Sequence, residues 1–424
     1  YHLGFGESRF PVHPSLAQAL RDNVQQRSYL PALGIWKLRE TIAQFYGRKF
    51  QIPVSANQVV VGPGSKSLLY ALVMALGEEV ILPYPSWVSY APQAHILGKP
   101  VIWVPLRSED GYLLEVDVLR QRMEEEKEEW GNPELLIFNS PNNPTGTMLP
   151  PERVQALADF ARAEQLMVLS DEIYAMVAHG QVPHTSVAHY YPEGTIVLGG
   201  LSKHLSLGGW RLGVAILPAG RTGEALRRAL QNIAGNVWSC VAATIQYAAL
   251  VAYDNDPELD AYIELCTRMH QVRTHYLYDR LVEAGVPCVE PSGAFYLFPN
   301  FNRWKKTLAS LGIKGSEDLA LYLLKTYELA TLPGSAFGTP RRDLSLRLSS
   351  SYLDAGTDEK ATNLVEVFRA DPDPVRFIEM HHPRLHEAAT RFAEFVADLE
   401  RKREQKHPGD KALGRSNKAP KKKP

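Results

Sequence analysis

Seven short apolar runs mark the first half of the chain, at residues 59–61, 80–83, 101–104, 135–138, 166–169, 195–198 and 214–217. They are rich in Val, Ile and Leu, too short for helices, and separated by stretches of helical spacing such as 68–76 and 151–164. Their alternation over residues 55–217 predicts an α/β fold with a mainly parallel sheet and helices on both faces. Further helical spacing covers 15–26, 37–50, 221–232, 242–252 and 258–284. The last of these is expected to bridge to a smaller α+β domain, whose sheet begins at 292–298 and includes the alternating strand 344–348.

The expected division is a large domain over residues 29–284, a small domain from 1–28 and 285–370, and a C-terminal part over 371–424. In that last part 386–402 reads as an amphipathic helix, with Leu385, Phe392, Phe395 and Leu399 on one side. A basic stretch ending Lys421-Lys422-Lys423-Pro424 follows, expected to be a solvated, disordered tail.

Composition narrows the class. A chain of 424 residues has room for two domains, and a net charge of -1 with 45% apolar and 22% charged residues is ordinary for a soluble globular protein. Nothing in that balance suggests nucleic acid as a partner. The run Glu124 to Glu129 reads as a solvated helix face. Cys240, Cys266 and Cys288 are scattered singly, which offers neither a disulfide framework nor a metal site. Buried free thiols in a reducing, cytoplasmic compartment are the expectation. No apolar run approaches the roughly 20 residues that span a bilayer. The sequence opens at Tyr1 rather than Met, which leaves open a targeting segment ahead of it.

Chemistry concentrates at Ser202-Lys203-His204-Leu205-Ser206-Leu207-Gly208-Gly209-Trp210-Arg211-Leu212-Gly213. The glycines strip side chains from around Arg211, so a guanidinium and bare backbone can meet a bulky anion. Lys203 and Arg211 held together repel one another unless a phosphate lies between them and the lysine is neutralised as an imine. Alone, the stretch reads equally well as a solvated basic loop. A second anion seat follows the run 59–61, where Gly62-Pro63-Gly64-Ser65-Lys66 leads from a strand into a helix start with free N–H groups.

Four ordered motifs resemble those of fold-type I pyridoxal-phosphate enzymes, the class I and II aminotransferases. They are the Lys203 stretch, Ser140-Pro141-Asn142-Asn143-Pro144-Thr145-Gly146, Ser170-Asp171-Glu172-Ile173-Tyr174 and Ser345-Leu346-Arg347-Leu348-Ser349. The resemblance implies pyridoxal 5'-phosphate as cofactor and Lys203 as its Schiff-base lysine. It implies Asp171 on the pyridine nitrogen, Asn143 and Tyr174 on the phenolic oxygen, and Gly64, Ser65, Lys66 and Arg211 around the phosphate. Trp87 is similar to the aromatic residue that stacks on the ring, and Arg347 to the arginine that takes the substrate α-carboxylate. Gly6 resembles the glycine of an N-terminal active-site loop. Tyr29 resembles a tyrosine that reaches the cofactor phosphate of a second subunit, which implies a homodimer. Lys66 matches a lysine of the subgroup that includes aspartate aminotransferases, where it can serve an acidic side chain; extra positive charge beside the phosphate is the alternative. One departure from the pattern is Gly200, where many relatives have a serine that offers a phosphate hydroxyl.

The function this implies is transfer of an amino group from an L-amino acid, of aspartate or glutamate type, to a 2-oxo acid such as 2-oxoglutarate. A lyase or decarboxylase on the same fold shares Lys203, Asp171 and Arg347, and demand for a 2-oxo acid separates the two. A non-catalytic cofactor-sensing regulator is the alternative of another class.

Overall fold

The computed structural model describes residues 1–77, 79–130 and 134–406. Seven strands form one sheet: β1 (Val59–Gly62), β2 (Val80–Tyr84), β3 (Val101–Pro105), β4 (Leu135–Asn139), β5 (Met167–Asp171), β6 (Thr195–Gly200) and β7 (Gly213–Ile216). Their order is β1-β7-β6-β5-β4-β2-β3, with β7 antiparallel to both neighbours and the other pairs parallel. The runs read as continuous apolar segments because β1, β4, β6 and β7 are buried at every position. Only β3, at one edge, alternates buried with partly exposed residues. A second sheet joins β8 (Tyr296–Leu297), β9 (Leu332–Pro333) and β10 (Leu346–Ser349) in the antiparallel order β8-β10-β9.

The helices are α1 (Pro14–Asp22), α2 (Trp36–Phe50), α3 (Ser65–Ala75), α4 (Tyr90–Ile96), α5 (Val116–Trp130), α6 (Pro151–Ala163), α7 (Val187–Tyr190), α8 (Gly220–Val237), α9 (Ala243–Tyr253) and α10 (Pro257–Glu283). There follow α11 (Lys305–Ser310), α12 (Ser316–Tyr327), α13 (Asp358–Ala370), α14 (Pro374–His381) and α15 (Pro383–Lys406). At 27 residues α10 is about 40 Å long. It packs on β8, on α13, α14 and α15, and on the turn Ala175–Val177 that follows β5. Among the described residues, no helix is long and apolar enough to cross a membrane.

Two expectations change and one is extended. The helix predicted over 15–26 stops at Asp22, because Asn23 leaves the helical conformation and its side-chain amide bonds back to the Ala19 carbonyl. The helix expected over 386–402 is present as α15, starting earlier at Pro383, and α14 precedes it; both are packed on the rest of the chain. One face of α15 buries Leu385, Phe392, Phe395 and Leu399, each at most 1% exposed. Trp304 Nε1 donates to Glu400 Oε1 at 2.8 Å and Tyr327 Oη to Asp398 Oδ2 at 2.6 Å, while the Asp354 carboxylate accepts the N–H groups of Arg384 and Leu385 at 3.1 and 3.0 Å. The disordered tail expected at 407–424 lies outside the described residues. Of the three thiols, all free, only Cys266 is fully buried; Cys240 and Cys288 are partly exposed.

Candidate active site

The carboxyl ends of β4, β5 and β6 lie side by side at one edge of the large sheet. Asn139 closes β4 opposite Asp171, which closes β5, and Asp171 lies opposite Leu198 of β6, just ahead of the Lys203 loop. Asn139 organises the loop after it: its amide donates to the Asp171 carbonyl at 2.7 Å and its Oδ1 accepts the Asn143 N–H at 2.8 Å. Open α/β sheets place ligands at this edge.

A cavity of about 420 Å³ opens here, lined by Ser65, Lys66, Trp87, Asn143, Asp171, Tyr174, Lys203 and Arg211, with Glu7, Tyr90 and Ser202. That size suits a cofactor-sized ligand. Side-chain-free backbone forms the seat around Arg211. A Cβ on Gly64, whose φ is +83°, would lie 2.2 Å from an Arg211 guanidinium nitrogen, and one on Gly213 would lie 2.2 Å from the Ser65 backbone nitrogen. The first turn of α3, beginning at Ser65, thus presents its free N–H groups beside Arg211.

Lys203 reaches back to the N-terminal loop, where its Nζ donates to the Gly6 carbonyl at 2.8 Å. Arg347, in the middle strand of the small sheet, is 4% exposed. It donates through Nη1 to Asn143 Oδ1 at 3.2 Å and through Nη2 to the Gly4 carbonyl, and its Nε has no hydrogen-bond partner. A buried guanidinium with a spare donor is ready for a carboxylate. Lys66 holds its amine 4.9 Å from the Trp87 ring centroid. Tyr29 is not brought to the others; it is 91% exposed and outside the cavity of its own chain.

Electrostatics separate the titratable groups. Burial, then the nearby Arg347, lowers the Lys203 amine to about 8, against the opposing pull of Asp171 and Glu7. Burial raises Asp171 to about 6, although the Tyr90 hydroxyl at 2.7 Å, the Ile173 N–H at 3.2 Å and Lys203 all favour its charge. Its neighbour Glu172 faces away, satisfied by Ser170 Oγ at 2.8 Å, Ser186 Oγ at 2.6 Å and His184 Nε2 at 3.0 Å. Asp171 is therefore the carboxylate of that pair turned to the cavity.

Two buried tyrosines were not singled out by the motifs. Tyr90 donates to Asp171 from the start of α4, and the Tyr296 hydroxyl lies 2.7 Å from that of Tyr174. Neither has a local signal, since each looks like a core aromatic in its own segment.

A buried lysine, a buried carboxylate and a glycine-and-arginine anion seat, at the carboxyl edge of an open α/β sheet, form an arrangement that can capture a phosphorylated carbonyl compound through an amine. The chain belongs to the aminotransferase class I and II family, whose sequence profile matches residues 1–368. It is 32% identical over 388 residues to the aspartate aminotransferase of Bacillus subtilis (strain 168), covering 89% of this chain and 91% of that one. The solved aromatic aminotransferase from Pyrococcus horikoshii OT3 matches with a TM-score of 0.77 at 28% identity, covering 94% and 95% of the two chains. The Thermus thermophilus aspartate aminotransferase with maleate matches with a TM-score of 0.74 at 28% identity, covering 86% and 90%.

The protein is a pyridoxal-phosphate-dependent transaminase. The residues present fit that cofactor: the bare cradle at Gly64 and Gly213 beside Arg211 suits a phosphate, and the buried Asp171 carboxylate suits a protonated ring nitrogen. Gly200 has no room for a side chain, because a Cβ there would lie 2.7 Å from the Leu212 carbonyl; hydroxyls at the cavity come instead from Ser65 and Ser202.

Proposed function

We propose that the protein moves the amino group of a dicarboxylic amino acid, aspartate or glutamate, to 2-oxoglutarate. The observation that carries this is the convergence on one cavity of Lys203, Asp171 and the Arg211 seat, with Arg347 tied to it through Asn143 and Lys66 at its rim. Arg347 and Lys66, the latter at the edge of the phosphate seat, supply one cation for each carboxylate of a dicarboxylate.

Pyridoxal phosphate, when bound, supplies the electron sink that makes a substrate α-proton acidic. Lys203 would hold it through Nζ, and as a free amine would be the base for that proton. Asp171 would hold the ring-nitrogen proton, and Asn143 and Tyr174 would serve the phenolic oxygen. Gly64, Ser65, Lys66, Ser202 and Arg211 would hold the phosphate, and Trp87 would cover the ring. Gly6 positions the lysine amine, and Arg347 clamps the α-carboxylate. The small domain, taken as residues 1–28 and 285–370 with α14 and α15 packed on it, brings Arg347 to the large domain over 29–284. Tyr29, exposed in its own chain, would serve the phosphate site of a second copy in a homodimer, in a cytoplasmic enzyme.

The test is the absorbance spectrum of the purified protein. The visible cofactor band is expected to fade on adding aspartate or glutamate and to return on adding 2-oxoglutarate. Release of ammonia or pyruvate with no demand for an oxo acid would contradict the assignment.

Two further outcomes follow. Arg347→Lys keeps the charge but loses the planar fork, so KM for the amino acid should rise roughly 10- to 100-fold in steady-state assays, the value of one or two charge-assisted hydrogen bonds. Capture of pyridoxal phosphate by the cofactor-free protein needs the neutral amine. With Lys203 lowered to about 8, the neutral fraction falls below that pH, so the capture rate should rise with pH and level off above it. Stopped-flow absorbance between pH 6 and 10 checks this; a rate still climbing to the ordinary lysine range, about 10.4, would contradict it.

A further inference from the structure

We infer that Tyr296 is a positioning residue that couples the seat of the substrate carboxylate to the phenol facing the cofactor. The inference rests on the assignment of Arg347 and Tyr174 above.

Tyr296 is 1% exposed and touches both groups with different parts of its side chain. Its ring lies under Arg347, whose guanidinium carbon is 4.8 Å from the ring centroid. Its hydroxyl lies 2.7 Å from the Tyr174 hydroxyl and 3.4 Å from the Gly6 carbonyl, the same carbonyl that accepts Lys203 Nζ. The backbone fixes the arrangement, because Tyr296 on β8 pairs with Ser349 on β10, two positions beyond Arg347. Gly6 leaves the space: a Cβ there would lie 2.2 Å from the Tyr296 oxygen.

The two ends have separable consequences. The ring sets the plane in which Arg347 presents its fork, and a cation over an aromatic face is held there electrostatically. The hydroxyl acts on Tyr174. Either hydroxyl can donate across the 2.7 Å contact; once Tyr174 directs its proton to the cofactor its oxygen can only accept, and Tyr296, whose other acceptor is the Gly6 carbonyl at 3.4 Å, is the donor. A phenol that accepts one hydrogen bond donates a stronger one. Tyr296 thereby strengthens the donation of Tyr174 to the cofactor's phenolic oxygen. Without it more negative charge stays on that oxygen, and the proton beside it is held to higher pH.

The test uses the cofactor-loaded enzyme with Tyr296→Phe and Tyr296→Leu, and succinate as an unreactive dicarboxylate probe. Tyr296→Phe keeps the ring and loses the hydroxyl. It should move the pH midpoint of the visible band upward, lower kcat by roughly 5- to 20-fold, and leave the succinate Kd within about twofold, the effect of one lost hydrogen bond at the cofactor end. Tyr296→Leu removes the floor as well and should weaken succinate about tenfold or more, the scale of a lost cation–π contact in a desolvated site. A Phe variant with an unchanged midpoint and kcat, or two variants with the same succinate affinity, would overturn the inference while leaving the aminotransferase assignment standing. Absence of a visible band in the unsubstituted protein would overturn the site assignment and this inference with it.

Discussion

Replacing Lys203 with alanine is expected to lower kcat by about 10⁴-fold or more, at the upper end of what a positioned acid–base group contributes, because the same side chain also carries the cofactor. The loss should not come from unfolding. Lys203 makes one hydrogen bond, to the Gly6 carbonyl, and burial disfavours its charged form. Removing a desolvated cation that faces Arg347 should leave thermal stability unchanged or raised. Steady-state rates and a melting curve on the same preparation check both halves. An alanine variant within about tenfold of the parent rate would show that another amine does the work.

The second large effect is at Asp171. Asp171→Asn keeps the shape of the group and removes the charge: its one oxygen can still accept the Ile173 N–H, while its NH2 faces the Tyr90 hydroxyl, which then accepts instead of donating. Leaving a buried cation without its partner costs about 3–5 kcal/mol, so kcat/KM should fall roughly 10²- to 10⁴-fold. The sign on stability is opposite. Burial holds the Asp171 carboxyl up at about 6, so the cofactor-free protein is penalised for its ionised form as pH rises through that value. The asparagine variant avoids this penalty and should melt no lower than the parent at pH 7 without cofactor, while losing activity. A variant that is both inactive and unfolded would mean that Asp171 serves the fold rather than the ring nitrogen.

Much of this site is readable in the sequence because its parts follow strand ends. The central strands are buried on both faces, so they appear as Val, Ile and Leu runs, and a polar residue that closes such a run must lie at the sheet edge. Asn139, Asp171 and the loop to Lys203 are all of that kind. The glycines are readable for a related reason: Gly64 and Gly213 stand where backbone and Arg211 come closer than any side chain allows.

What the sequence hides depends on pairing between distant segments. Tyr90 meets Asp171, and Tyr296 meets Tyr174, across sequence separations of 81 and 122 residues. Both register and side-chain direction decide such contacts, and a one-residue slip of β8 against β10 would turn Tyr296 away from the site. The role of residues 371–406 was hidden for a different reason. An amphipathic helix shows that it has an apolar face but not what covers it, and here α10, α11 and α12 do.

The central claim is that Lys203, at the carboxyl edge of the sheet, is the amine that carries pyridoxal phosphate. The most direct measurement is borohydride reduction of the cofactor-loaded protein followed by peptide mapping. A phosphopyridoxyl group on the peptide containing Lys203, and on no other, is the predicted result. Label on Lys66, or spread over surface lysines with Lys203 unmodified, would contradict it.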